Sequence, residues 1–376
     1  MAKKCVLLVC MFALFSLTAY ATEPVFETYV ALGDSLTHGY QSGSVDETRQ
    51  PCGYASLLAE KMGTEFNLPL LKFPGYMVNI EDVGKGNISW WKYYYPLVGG
   101  VRVDGYRNQD KINNFGITGA TAAEAMTHYG SEGGFFELVL GKNGDPALDQ
   151  ALAKNPTFVS VWLGNNDVLG AALSTDTAAL TPIAEFEEDF ETITNRIASK
   201  QSIQGVVIMN VPDVTCIAYL NETNNPDFPQ GSYNPFWLQD ATEGFVLTPD
   251  EIALIQERAA QINEKIYDTA YANGWAHVDT YEIFMDMKTY GHELKDQYGM
   301  GSGEWISADY LGGVFSLDGV HPSITGQAVA ANYVIEGINA TYGTQLDYVN
   351  EYQTSQSDSL LQNPYDPREL INGWIG

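Results

Sequence analysis

Two runs of the chain are continuously apolar: Phe158–Leu163 (FVSVWL) and Gly205–Val211 (GVVIMNV). Strands buried on both faces of a parallel sheet read this way. Thr28–Leu32 (TYVAL) is a shorter β-rich run that ends in Gly-Asp-Ser, and Lys111–Ile117 and Ala276–Asp279 are weaker strand candidates. Helical periodicity lies between them. Phe186, Phe190, Ile193 and Ile197 share one face, with Glu185, Glu187, Glu188 and Asp189 in the first turns, where acidic side chains complement the helix dipole. Thr248-Pro249-Asp250-Glu251 is a capping box with proline at the first helical position, and it opens the stripe Ile252, Ile255, Ala259, Ile262 and Ile266. Thr121 and Glu124 repeat the capping-box spacing. Strands alternating with helices predict an α/β fold built on a parallel sheet, with ligands bound beyond the carboxyl ends of the strands.

Three stretches interrupt this rhythm: 44–105, 218–247 and 281–314. Each is rich in aromatic residues, including Trp90, Trp91, Tyr93, Tyr94 and Tyr95 in the first, Tyr219, Phe236 and Trp237 in the second, and Phe284, Trp305 and Tyr310 in the third. Segments this long are functional or disordered in most proteins, and the aromatic content argues against disorder. They are expected either to pack as satellite clusters on the edge of the fold or to wall a substrate cleft. The remainder has the size of one domain over 22–376. The polar tail from Gln353 is expected to be loosely held.

The amino terminus carries Lys3 and Lys4, an apolar run from Cys5 to Leu17, and Ala19-Tyr20-Ala21. A basic segment, a short apolar segment and an A-x-A site make up a secretory signal peptide, here 1–21. The apolar run is shorter than the roughly 20 residues that span a bilayer. A secreted or periplasmic protein without a stable membrane anchor is expected. The chain holds 19 Lys+Arg against 47 Asp+Glu, a net charge of -28; losing two lysines and no acid on cleavage makes it more negative still. Such a field repels nucleic-acid phosphates and anionic membrane surfaces, so no nucleic-acid partner is expected. Cleavage leaves Cys52 and Cys216, whose pairing the sequence leaves open. No metal-binding or nucleotide-binding pattern occurs, so no metal or cofactor is implied.

Candidate chemistry sits at the strand ends. Gly33-Asp34-Ser35-Leu36 supplies a hydroxyl, Asp318-Gly319-Val320-His321-Pro322 an imidazole with a carboxylate three residues earlier, and Gly164-Asn165-Asn166-Asp167 a side-chain amide. A serine hydroxyl is a weak nucleophile until a base takes its proton. An imidazole suits that task, a carboxylate on its other nitrogen fixes its tautomer, and amide donors stabilise the developing oxyanion.

Val30–Tyr40 (VALGDSLTHGY), Asn113–Thr121 (NNFGITGAT), Leu163–Asp167 (LGNND) and Asp318–Pro322 (DGVHP) resemble, in order and position, the four blocks of the GDSL, or SGNH, hydrolases. The resemblance implies a three-layer α/β/α sandwich with a flavodoxin-like parallel sheet of about five strands. It makes Ser35 the nucleophile, His321 the general base and Asp318 its orienting partner. The backbone N–H groups of Ser35 and Gly119 and the side chain of Asn166 become the oxyanion hole, with Gly116 a rival for the glycine. Asp34 and Asp167 become supports for their turns, and His38 is expected to line the entrance. The implied activity is hydrolysis of lipid or other acyl esters through an acyl-enzyme. A carbohydrate acetylesterase or an acyltransferase would use the same residues, and a non-catalytic envelope-binding protein on this scaffold is the alternative of another class. Oligomeric state is not legible.

Overall fold

The computed structural model describes residues 25–77, 80–81, 100–238, 241 and 244–368. The signal-peptide segment 1–21 and the aromatic run Trp90–Tyr95 lie outside them. Nine strands occur among the described residues: β1 Tyr29–Gly33, β2 Asn114–Gly116, β3 Phe158–Trp162, β4 Gly205–Met209, β5 Leu220–Glu222, β6 Tyr233–Pro235, β7 Ala276–Val278, β8 His292–Lys295 and β9 Gly301–Ile306. Five of them form one sheet in the order β2-β1-β3-β4-β7, with every neighbouring pair parallel. This is the flavodoxin-like order, and all five strands coincide with runs expected from the sequence.

Because side chains alternate across a strand, each run feeds two cores. Val30, Leu32, Val159, Val161, Val206 and Ile208 face one side and pack with Phe186, Phe190, Ile193 and Ile197 of the helix Ile183–Ala198 and with Ile255, Ala259, Ile262 and Ile266 of the helix Pro249–Asn273. Tyr29, Ala31, Phe158, Val207 and Met209 face the other and pack with the helices Tyr54–Met62 and Ile324–Tyr342. The result is a three-layer α/β/α sandwich. Each fully buried aliphatic side chain contributes roughly 1.5–3 kcal/mol, so the two apolar helix faces hold the layers in place. The expected Thr248–Glu251 capping box is present in both directions. Its counterpart at Thr121–Glu124 also forms, although the helix it opens is a single turn, Glu124–Thr127.

Two sequence expectations need correction. The stretch 281–314 is mostly regular structure, with the helix Thr280–Tyr290 followed by the antiparallel pair β8–β9. Phe284 and Met287 tie that helix to the main core. The tail beyond Gln353 is also held: helices Glu351–Ser357 and Ser359–Gln362 are pinned by two buried acids. Glu351 accepts from His292 Nε2 and from Asn332 Nδ2 at 2.8 Å each, and Asp358 accepts from the backbone and hydroxyl of Thr325. Polar composition concealed these hydrogen-bonded anchors, which buried Leu360 and core-packed Leu361 supplement. Cys52 and Cys216 are both free thiols.

Candidate active site

Ser35 opens a one-turn helix, Ser35–His38, at the carboxyl end of β1. Asp34 caps that turn: one carboxylate oxygen accepts from Leu36 N at 2.9 Å, and the other accepts from Asn165 Nδ2 at 2.8 Å. Burial pushes the Asp34 carboxyl up to about 6, against the pull of those two hydrogen bonds and of His321. The loop Ser316–His321 closes on itself through Ser316 N to His321 O at 2.8 Å and Gly319 N to Ser316 O at 3.0 Å. Gly319 turns the loop at φ +70°, and a side chain there would meet Tyr219 N at 2.8 Å, so glycine is required twice over.

These two turns bring together residues far apart in the chain. His321 Nε2 lies 2.8 Å from Ser35 Oγ, and His321 Nδ1 lies 3.0 Å from Asp318 Oδ2. Asp318 also accepts from Val320 N and His321 N on Oδ1 and from Gly43 N on Oδ2. Burial works against its charge, but His321 and the amide donors together outweigh that and hold the carboxyl below the usual aspartate range. With the carboxylate on Nδ1, the tautomer carries its proton there and presents Nε2 to the hydroxyl as an acceptor.

The two remaining candidates converge on the same strand ends. Asn166 begins the helix Asn166–Ser174 after β3, and its Nδ2 donates to Ala120 O at 2.9 Å, next to Gly119. A second hydrogen on that nitrogen remains for a ligand. Asp167 Oδ2 accepts from Ala122 N, tying the same loop again. Gly119 is exposed at φ +86° with open space where a side chain would be, so backbone conformation rather than crowding calls for glycine. Its N–H bonds to no group among the described residues. The rival Gly116 is buried at the end of β2, with its N–H taken by Asn114 Oδ1 at 2.8 Å.

His38 does not line the entrance. It is fully buried; Nδ1 bonds Thr118 Oγ1 at 3.0 Å, and burial, reinforced by the Arg102 charge, drives its pKa down to about 3. It is a neutral strut beneath the loop that carries Gly119. Sequence reading also missed Gly43, Ser42 and Tyr40. Ser42 N bonds Ser316 Oγ at 2.8 Å, and the Tyr40 ring lies against His321. Their partners lie some 275 residues along the chain, beyond the reach of any local motif. A cavity of about 110 Å³ opens at Ser35 and His321 and runs between the helices Thr280–Tyr290 and Ile324–Tyr342. Trp162, Leu169, Phe284, Met287, Val329 and Tyr333 are among its lining, which is almost wholly apolar.

The GDSL-like Lipase/Acylhydrolase family model matches residues 29–334. The chain belongs to this family. It is a carboxylic ester hydrolase, acting on small-molecule esters. No curated protein matches it. Solved structures with a distant likeness to this hydrolase include LAE5, an α/β hydrolase from the metagenome of Lake Arreo, Spain, at 15% identity over 85% of this chain and 97% of that one, with a TM-score of 0.42. Axe2, an acetylxylan esterase from Geobacillus stearothermophilus, is 13% identical over 85% of this chain and 96% of its own, also with a TM-score of 0.42.

Proposed function

We propose that this hydrolase is an exported serine esterase that takes esters with an apolar acyl group. Ser35 Oγ attacks the ester carbonyl while His321 Nε2 accepts its proton, and Asp318 holds the imidazolium so formed. The N–H groups of Ser35 and Gly119 and the side-chain amide of Asn166 receive the oxyanion. Collapse breaks the bond to the alcohol, which leaves with the proton from His321 and so gives the acyl-enzyme. Water then repeats the sequence, giving up its proton to His321, and the acid is released.

The observation that carries the mechanism is the unbroken line of hydrogen bonds from Ser35 through His321 to Asp318. The apolar acyl preference is supported by the cavity at Ser35. Its volume approaches that of the roughly 150 Å³ apolar cavity known to hold benzene, so a medium acyl chain is the right scale. Export is supported by the Lys3–Ala21 segment. With a net charge of -28, neutral or zwitterionic substrate is favoured over an anionic surface.

The test is a series of chromogenic esters from acetyl to long acyl, run on the wild type and Ser35→Ala. Activity should peak at intermediate chain length and vanish in the variant, together with fluorophosphonate labelling. Full activity in Ser35→Ala refutes the mechanism, and a steep preference for acetyl over octanoyl refutes the acyl assignment. Amino-terminal sequencing of the exported protein should begin at Thr22.

A further inference from the structure

Tyr40 lies at the end of the turn that carries Ser35, its backbone N–H donating to Ser35 O at 3.1 Å. Its ring centroid is 4.6 Å from that of His321, with the two planes tilted by 53°. The ring is 8% exposed and is backed by Val45, Leu71 and Leu138 and, edge-on at 6.1 Å, by Phe135. Burial, with the Asp318 charge adding to it, holds the phenol proton well above the usual tyrosine range, so the ring stays neutral. Both nitrogens of His321 are already engaged, Nδ1 with Asp318 and Nε2 with Ser35. What remains of the imidazole is its two faces, and Tyr40 packs against the ring.

We propose that Tyr40 is a positioning residue whose ring holds the His321 imidazole in line with Ser35 and stabilises the imidazolium formed during catalysis. The proposal rests on the reading of His321 as general base. An aromatic π system attracts a cation placed near it, and the effect grows where water is excluded. This attraction is weak for a neutral imidazole. It becomes strong only as the proton moves from Ser35 Oγ to Nε2, so the gain falls on the transition state and belongs in kcat rather than KM. One turn of chain therefore carries both the nucleophile and the surface on which its base rests. Nothing in the phenol hydroxyl is needed for this, which separates the proposal from a role in binding substrate.

Tyr40→Phe, Tyr40→Leu and Tyr40→Met are to be compared with the wild type and Ser35→Ala on one chromogenic ester, with thermal unfolding recorded for each. Tyr40→Phe is expected to keep kcat within about 2-fold, and the two aliphatic variants to lose roughly 3- to 30-fold in kcat with KM little changed. Methionine fills similar space, so it provides a folded comparison should leucine unsettle the satellite cluster. If both aliphatic variants keep wild-type kcat, or if Tyr40→Phe is as impaired as they are, the proposal is overturned. A rise in KM at constant kcat would make Tyr40 a substrate contact and overturn it equally. Ser35→Ala reports separately: activity surviving there removes the site reading and this proposal together. Its loss alongside unimpaired Tyr40→Leu and Tyr40→Met removes this proposal alone.

Discussion

Asn165 Nδ2 donates to Asp34 Oδ2 at 2.8 Å, joining the turn that carries Ser35 to the end of β3. Asn165 Oδ1 has no partner among the described residues. In Asp34→Asn, a rotation of the Asn165 amide would let that oxygen accept from the new side chain, while the bond to Leu36 N is kept. The variant is expected to fold and retain activity. What changes is the pH dependence of stability. With the folded Asp34 pKa raised from 3.8 to about 6, the native state keeps a proton that the unfolded chain releases in that window. Wild-type stability therefore falls as pH rises from about 4 to 6, by on the order of 3 kcal/mol relative to Asp34→Asn. Urea unfolding of both proteins across that range measures it, and parallel curves would refute it.

His38 predicts the opposite slope. Its folded pKa is lowered from 6.5 to about 3, so on acidification the unfolded chain takes up a proton that the native state refuses. Its contribution to stability is present above about pH 6.5 and lost progressively below it. His38→Gln keeps a polar side chain for Thr118 without the titration, and it should gain on the wild type by on the order of 3 kcal/mol between about pH 6.5 and 4. Chemical denaturation at the two pH values settles this. Asp34 and His38 act in opposite directions, so each must be read in its own single variant.

Asp318→Asn tests the carboxylate behind His321. Oδ1 would still accept from Val320 N and His321 N, but an amide NH₂ in place of Oδ2 would face Gly43 N and His321 Nδ1, donor against donor. Relief requires the wrong imidazole tautomer. A kcat loss of about 10⁴ is expected at nearly unchanged KM, following the equivalent change in serine proteases. A loss below tenfold would remove Asp318 from the orienting role.

Asn166→Ala removes the proposed oxyanion donor and the bond to Ala120 O. The expected cost is about 10²–10³ in kcat, with little effect on KM. Unchanged kcat would leave the oxyanion to backbone donors alone.

Ala330 lines the cavity from the helix Ile324–Tyr342. Ala330→Phe should fill it and cut kcat/KM for octanoyl esters by at least about tenfold while leaving acetyl esters nearly untouched, as for loss of a pocket several methylenes deep. An equal effect on both substrates would place the acyl chain elsewhere.

Much of the fold was legible because its signals are local. Phe158–Leu163 and Gly205–Val211 read as buried strands because a strand covered on both faces has no polar side to show. Ile193 and Ile197 read as a helix face because 3.6-residue periodicity survives in sequence. The stretch 281–314 misled because helix Thr280–Tyr290 shows only a short apolar face and β9 is exposed over most of its length. The tail misled because Glu351 and Asp358 look like surface acids until their buried partners are known.

The sequence by itself determined the layered α/β architecture, the family, and the residue types brought to each strand end, since each depends on a short run of chain with its own periodicity or turn chemistry. Tertiary structure alone decided how those ends meet. Only folding sets His321 2.8 Å from Ser35, gives Asp318 the Gly43 amide, and buries His38 beneath Thr118. It alone lays Tyr40 on the imidazole and opens a cavity beside Ser35. Those relations join segments up to 286 residues apart. They depend on burial and hydrogen-bond geometry, which arise only when distant segments exclude water from one another.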